Sequence, residues 1–436
     1  MEIVGKTAAD IFDSIRTLTQ TGVLEPGQAL PPVRGLAVTL GVNRNTVAMA
    51  YKRLVAAGVA LTQGRLGTVI RERPGPGEQE GSVPDSPLID LGGGNPNPRW
   101  LPDMSAILAR TSYRPRLYGE ATVDPALEAV ARQWMTGQCP EDFEINLTHG
   151  AVDAIERLLM ACLVVGDKVA VEDPCFLSHI NVLRINGFQT VGVAVDSEGM
   201  EAQALEQALA QGAQAVILTP RAHNPTGASL SARRARHLRA VLARHPQVLV
   251  IADDHFARLA STDYHDAIPP MARCWVLIRS VSKMFGPDLR LAFVASDAQT
   301  SQRLRLRLAP GMNWVSHLLQ DAVWACLDSP ESSARIDQAR EDYARRRRIV
   351  AAALAAQGIA VAGPADGLNL WVPLPESSQP AVLALAQRGW VVRGGEPFGV
   401  QSPAHGLRIT VSTLDEENAQ AFAQAVSHAV QQREHG

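Results

Sequence analysis

A winged helix-turn-helix followed by a larger α/β unit with a mostly parallel central sheet is the architecture the sequence predicts, and three observations predict it. Two short helical patterns, Val33 to Leu40 and Asn43 to Ala57, are separated by Gly41-Val42 and followed by an alternating, turning run from Gly58 to Ile70. A stretch rich in Pro, Gly, Ser and acid occupies residues 73–88. Beyond it, strand-length apolar runs alternate with amphipathic helices. At 436 residues the chain is too long for one small core, so several domains are expected.

The first helix shows Ile11, Ile15 and Leu18 on one face and has Gly22 near its end. Leu24 to Pro32 is a turn-rich connector. Asn43 is the expected N-cap of the helix that follows Gly41-Val42. Its first turn carries Asn43, Arg44, Asn45 and Thr46, side chains suited to base edges and phosphates in a major groove. Residues 1–73 hold nine Lys and Arg against five Asp and Glu, so this part is +4 and the remainder −7 of a net −3. Phosphate neutralisation would reside in that basic part. A small helical domain for protein contacts is the competing reading, and the agreement of helices, charge and wing weighs against it.

The stretch resembles the GntR-type winged helix through Leu30-Pro31-Pro32-Val33-Arg34, Val42 to Val47, Ala50-Tyr51, Leu54 and Gly67-Thr68. The resemblance implies double-stranded operator DNA as a partner. It places Arg34, Asn43, Arg44, Asn45 and Thr46 on the DNA, with the wing residues Arg65, Gly67 and Thr68. Arg65 stands where that family usually has a wing-tip glycine.

The start of the chain lacks a charged head with a long apolar core, and no run of eighteen apolar residues occurs, so a cytoplasmic protein with no membrane partner is expected. Five cysteines, scattered and without CxxC spacing, indicate neither a disulfide framework nor a metal site. Residues 73–88 cannot bury a core and are expected to form a flexible, protease-sensitive linker. Fully extended, about fifteen such residues would span up to roughly 50 Å.

In residues 89–436 the apolar runs Val169 to Val171, Val191 to Val195, Ala215 to Leu218, Val248 to Ala252 and Trp275 to Ile278 read as parallel strands. Sites in such sheets form where strands end. Trp275 to Ile278 delivers Ser280, Val281 and Ser282 directly before Lys283, which is therefore expected to be shielded from solvent. A lysine amine can form a Schiff base with an aldehyde cofactor, most commonly pyridoxal 5'-phosphate (PLP). Leu147 to Asp153 turns from strand into a helix expected over Ala154 to Leu163, and free N–H groups at Gly150, Ala151 and Val152 suit a phosphate. Phe176 follows a strand, Asn224-Pro225 forms a turn, and Asp253 and Asp254 end another strand.

Ser280, Lys283 and Arg290 resemble the Ser-x-x-Lys and Arg of aspartate-aminotransferase-like, fold-type I PLP proteins. That resemblance implies a smaller C-terminal α+β subdomain and a full set of cofactor contacts. Lys283 would be the catalytic, cofactor-bonding lysine. Ser280, Arg290 and the Gly150-Ala151-Val152 loop would hold the phosphate, with Ser282 nearby. Phe176 would stack on the ring, Asn224 would bond its phenolic oxygen, and Asp253, or else Asp254, would pair with the pyridine nitrogen. The family's tyrosine two or three residues later is replaced by His255 or Phe256. Tyr118 would reach a neighbouring subunit's phosphate, which makes a homodimer the expected active form. Asn95, in the loop Gly92 to Pro96, and Arg408 would face the substrate or effector; a structural ion-pair partner is the competing reading of Arg408. Arg345 to Arg348 reads first as a solvated helix face and second as an accessory DNA patch.

The order of the two parts is similar to that of MocR-type transcriptional regulators, and the resemblance extends to a subgroup concerned with vitamin B6 metabolism. It implies a DNA-binding regulator responsive to PLP or to an amino acid linked to it. The alternative is a PLP-dependent aminotransferase with an accessory DNA-binding segment.

Overall fold

The computed structural model describes residues 2–63, 67–71, 77–82 and 85–431. They form two compact units, Met1–Gly77 and Glu78–Gly436.

In the first unit Ala8–Gln20 is opened by Thr7, whose side chain accepts from the Asp10 N–H while Asp10 accepts from the Thr7 N–H. Val33–Leu40 ends at Gly41, whose φ of 62° closes the helix in the left-handed region. Asn43 caps Arg44–Ala56 through a 2.8 Å bond from the Asn45 N–H. Ala60–Gln63 and Gly67–Ile70 pair antiparallel as the wing. Val47, Ala50, Tyr51 and Leu54 bury one face of Arg44–Ala56 against Ile11, Ile15 and Leu36, leaving Arg44 and Asn45 exposed on the other. The Tyr51 hydroxyl donates to the Pro31 carbonyl at 2.7 Å and so ties the connector to this helix. Leu54→Ala removes a fully buried side chain here and is expected to destabilise the first unit by about 2–5 kcal/mol. Calorimetry should show its melting early, while the tryptophan-reported transition stays in place because all seven tryptophans lie between Trp100 and Trp390.

The second unit is built on an eight-stranded sheet in the order Glu144–Thr148, Ala292–Ser296, Trp275–Ser280, Leu249–Asp253, Ala213–Leu218, Lys168–Asp173, Gln189–Asp196, Gly199–Met200. The five strands from Trp275–Ser280 to Gln189–Asp196 run parallel, while Ala292–Ser296 and Gly199–Met200 pair antiparallel with their neighbours. Both faces of the sheet are covered. Val250, Ala252, Trp275 and Leu277 pack on one side, Leu249, Ile251, Val276 and Ile278 on the other. A smaller subdomain carries Asn369–Pro373, Gly406–Thr410 and Arg393–Gly394 in one antiparallel sheet, packed with Glu416–Gln431 around its own apolar core. Among the described residues no helix is long and apolar enough to cross a membrane.

Two local expectations are corrected. The helix expected over Ala154 to Leu163 begins at Ala151, with Gly150 as its N-cap, so the N–H groups of Ala151 and Val152 belong to its first turn. The arginine run on Pro330–Ala356 is not a solvated face throughout: Arg346 and Arg347 are buried. Arg346 binds Asp342 and the Leu414 carbonyl, and Arg347 binds the carbonyls of Ala365 and Gly367 and faces Asp366, so two of the four cations act as internal clamps.

Candidate functional site

Five strand ends converge on one cavity of about 320 Å³ in the second unit. The strand Trp275–Ser280 is buried along its whole length and delivers Lys283, whose Nζ donates to the Gly94 carbonyl at 2.7 Å. Burial pushes the Lys283 amine down to about 8; Glu80 opposes that shift and Arg408 adds to it. The neighbouring strand brings Asp253 level with Ile278. Asp253 Oδ2 lies 3.2 Å from His179 Nε2, whereas its Oδ1, buried and lining the cavity, has no hydrogen-bond partner among the described residues.

The next residue points the other way, as strand alternation requires. Asp254 accepts from Arg221 at 3.0 and 2.7 Å and from Arg279 at 2.9 Å. Asp253 lines the cavity and Asp254 does not. Of the two candidates after them, His255 lines the cavity and Phe256 is buried in the core. Burial pushes the His255 pKa down.

At the opposite wall Gly150, with φ 99°, opens the helix Ala151–Cys162. A Cβ there would stand 3.2 Å from an Arg290 guanidinium nitrogen, so glycine, which also suits the positive φ, leaves the arginine room to cross the helix N-terminus. Arg290 itself has φ 42° and donates to the His149 carbonyl at 3.1 Å. The Ser280 and Ser282 hydroxyls lie 3.1 Å apart beside it. Cationic head, two hydroxyls and free helix N–H groups make a cradle suited to a dianion.

Ala151, Val152, Phe176, Asn224, Asp253, His255, Ser280, Ser282, Lys283, Arg290 and Asn95 all line this cavity. Gly150 stands behind Arg290, and Arg408 reaches Asn224 Oδ1 at 3.1 Å from the fully buried strand Gly406–Thr410. Tyr118 is not brought there by its own chain: it is 94 % exposed and stacks edge-on against Trp314. Several cavity residues were not singled out from the sequence, among them three with polar side chains. Ser178 and His179 sit in the first turn of the helix after Phe176, and a carboxylate comes from the stretch read as linker. That carboxylate is Glu80, whose Oε1 accepts from Arg408 at 2.5 Å and from Asn224 at 3.0 Å. Burial works against its charge, yet Arg408 holds its pKa below the usual value.

Beneath the floor, Thr219 donates twice to Glu172 at 2.8 Å, and His223 lies 3.4 Å from the same carboxyl. Burial raises Glu172 to about 8 and lowers His223 to about 3, so this support is nearly uncharged at neutral pH.

In the first unit Arg34, Asn43, Arg44 and Asn45 are exposed and Thr46 is half-buried, all at or near the start of the two helices of the helix-turn-helix. Gly67 is exposed and Thr68 half-buried in the wing; Arg65 lies outside the described residues.

The family model "Aminotransferase class I and II" matches residues 89–426, and "Bacterial regulatory proteins, gntR family" matches residues 7–70. The chain is 56% identical over 428 residues to the vitamin B6 salvage pathway transcriptional repressor PtsJ of Salmonella typhimurium, covering 98% of this chain and 99% of that one. It is 27% identical to the pyridoxine biosynthesis transcriptional regulator PdxR of Corynebacterium glutamicum, over 96% of this chain and 95% of that one. Among solved structures, a Pyrococcus horikoshii kynurenine aminotransferase shares the fold at a TM-score of 0.71 and 21% identity, over 80% of this chain and 92% of that one. With a helix-turn-helix unit ahead of an aminotransferase fold, and a relative of that identity along nearly its whole length, the chain belongs to the MocR-type transcriptional regulators.

Proposed function

We propose that this regulator senses PLP in the cavity at Lys283 and, as a homodimer, adjusts operator binding by the helix-turn-helix unit, with vitamin B6 metabolism as its field. The observation that carries the reading is the unpartnered Asp253 Oδ1, a buried acceptor facing the same cavity as a lysine amine whose pKa is pushed down to about 8. Such an oxygen has a use when a protonated ring nitrogen fills the cavity. PLP supplies an aldehyde for the lysine, a ring nitrogen and a phosphate, and the residues present fit all three. Lys283 would hold the aldehyde carbon, Asp253 would keep the ring nitrogen protonated, and Phe176 would cover the ring. Arg290, Ser280 and the first turn after Gly150 would fix the phosphate, with Ser282 beside them. Tyr118, exposed on its own chain, is free to serve the partner copy's phosphate.

The name of the 56% identical relative supports repression of vitamin B6 salvage as the biological setting. The aminotransferase alternative needs Arg408 to receive a substrate carboxylate, and that guanidinium already holds Glu80.

The test is a titration of a double-stranded DNA site selected from a random library by the wild-type protein, with wild type and Lys283→Ala, each with and without PLP. Wild type should show a visible absorbance band with PLP and a shift in DNA affinity; Lys283→Ala should lose both. Unchanged DNA affinity on saturation with PLP would refute the sensing role. In the same assay Arg44→Ala, at the exposed first turn, is expected to weaken DNA binding by about 1–3 kcal/mol, roughly 5- to 150-fold.

A further inference from the structure

We infer that residues 78–82 form a built-in strap whose Glu80 occupies the carboxylate-binding position of the cavity, so that any free carboxylate ligand must displace the chain's own residue. This rests on reading the cavity as the PLP site, and it narrows the effector to PLP without an attached amino acid.

Among the described residues the strap is held by polar contacts, and Glu78, Gln79, Glu80, Gly81 and Ser82 include no apolar side chain to drive burial. Two of its acids, two residues apart, meet two arginines that are themselves cross-strand partners. Glu78 pairs with Arg393 at 2.9 Å and Glu80 with Arg408 at 2.5 Å, and Arg393 stands opposite Arg408 in the small sheet. Asn181 donates to the Glu78 carbonyl at 2.7 Å, and the Gly81 N–H donates to the Gly93 carbonyl at 3.1 Å.

The glycine loop opposite is shaped to admit it. A Cβ on Gly93 would stand 2.5 Å from Ser82 Oγ, and one on Gly94 would stand 2.8 Å from Glu80 Oε2. Arg408 is fully buried, and a buried guanidinium needs an anion within reach. Glu80 is the carboxylate bonded to it. Its Oε1 also takes the Asn224 amide, so the same oxygen competes for two groups that a carboxylate ligand on PLP would use.

A ligand that binds only the released state has its affinity lowered by the fraction of molecules in that state. With the strap seated about nine-tenths of the time or more, a small carboxylate binds at least about tenfold more weakly than it would to the open cavity. PLP alone carries no group that needs the Arg408 position.

Succinate serves as the probe, titrated by calorimetry into full-length protein with and without PLP. Glu80→Gln keeps the shape and removes the charge, and should tighten succinate binding at least tenfold. Gly93→Ala leaves Glu80 intact but drives the strap outward by sterics, and should act in the same direction. In wild type, saturating succinate should speed hydrogen exchange at the Gly81 amide. Equal succinate affinity in wild type and both variants, or Gly81 exchange untouched by succinate, would overturn the strap. Failure of the PLP reading is seen separately: no visible band with PLP in any of the three proteins removes that reading, while the succinate comparison still decides the strap.

Discussion

Between pH 6 and pH 9 the rate at which the wild-type protein captures PLP should rise about ninetyfold, with its midpoint near the Lys283 pKa of about 8. Only the neutral amine has a lone pair to add to the aldehyde, with loss of water, so the rate follows the deprotonated fraction. That fraction is ~1% at pH 6 and ~90% at pH 9 for a group titrating near 8. The direction is set by burial, which penalises the ammonium form and pulls the pKa down from the ordinary lysine value of 10.5. Glu80 opposes the shift, so Glu80→Gln should move the midpoint lower and make capture at neutral pH faster. Stopped-flow absorbance reads the rate directly. A midpoint close to 10.5 would mean that the amine is solvated and the cavity is not as described.

The fold was legible because each level of the sequence agreed with the next. The i, i+3, i+4, i+7 face of Val47, Ala50, Tyr51 and Leu54 specifies a half-buried helix, and continuous runs such as Trp275 to Ile278 specify strands covered on both sides. Most cavity residues were legible for a related reason. Asp253 ends a strand and Lys283, Asn224, Phe176 and Gly150 each follow one closely, so local sequence fixes their place at one edge of the sheet. Glu80 was not legible, since its partner Arg408 lies 328 residues away and its own neighbours carry only linker composition. The stretch read as a flexible linker is therefore divided: 78–82 belong to the second unit because two acids find two buried or half-buried arginines, which no local pattern encodes. His179 escaped for a different reason: it is one of the buried residues of a short helix with little apolar periodicity, so nothing local marks it as facing the cavity. Arg346 and Arg347 misled because a run of four arginines reads as surface, while their long stems reach carbonyls inside.

Two adjacent carboxylates should give opposite results when neutralised. Asp254→Asn is expected to destabilise the second unit by about 3–5 kcal/mol, because it leaves two buried guanidinium groups without their anion. Arg221 grips Asp254 through two nitrogens and Arg279 through a third; Arg279 is 1 % exposed and its remaining nitrogens are committed to the Trp134 carbonyl and Gln138. Burial acts to raise the Asp254 pKa and the two arginines outweigh it, so the carboxylate is charged and the substitution removes a full charge. Asp253→Asn removes no bond at Oδ1, and its stability should change by about 1 kcal/mol or less. Its loss appears instead in PLP affinity, expected to fall on the order of 10- to 100-fold as one charge-assisted hydrogen bond disappears. Urea unfolding followed by tryptophan fluorescence separates the two, since Trp134 lies against Arg279 at 5.1 Å and reports this unit. If Asp254→Asn unfolds like wild type and loses PLP while Asp253→Asn keeps it, the ring-nitrogen partner is Asp254. The strand end would then have to present Asp253 and Asp254 in a register one step from that seen, with every apolar side chain of Leu249–Asp253 on the opposite face of the sheet.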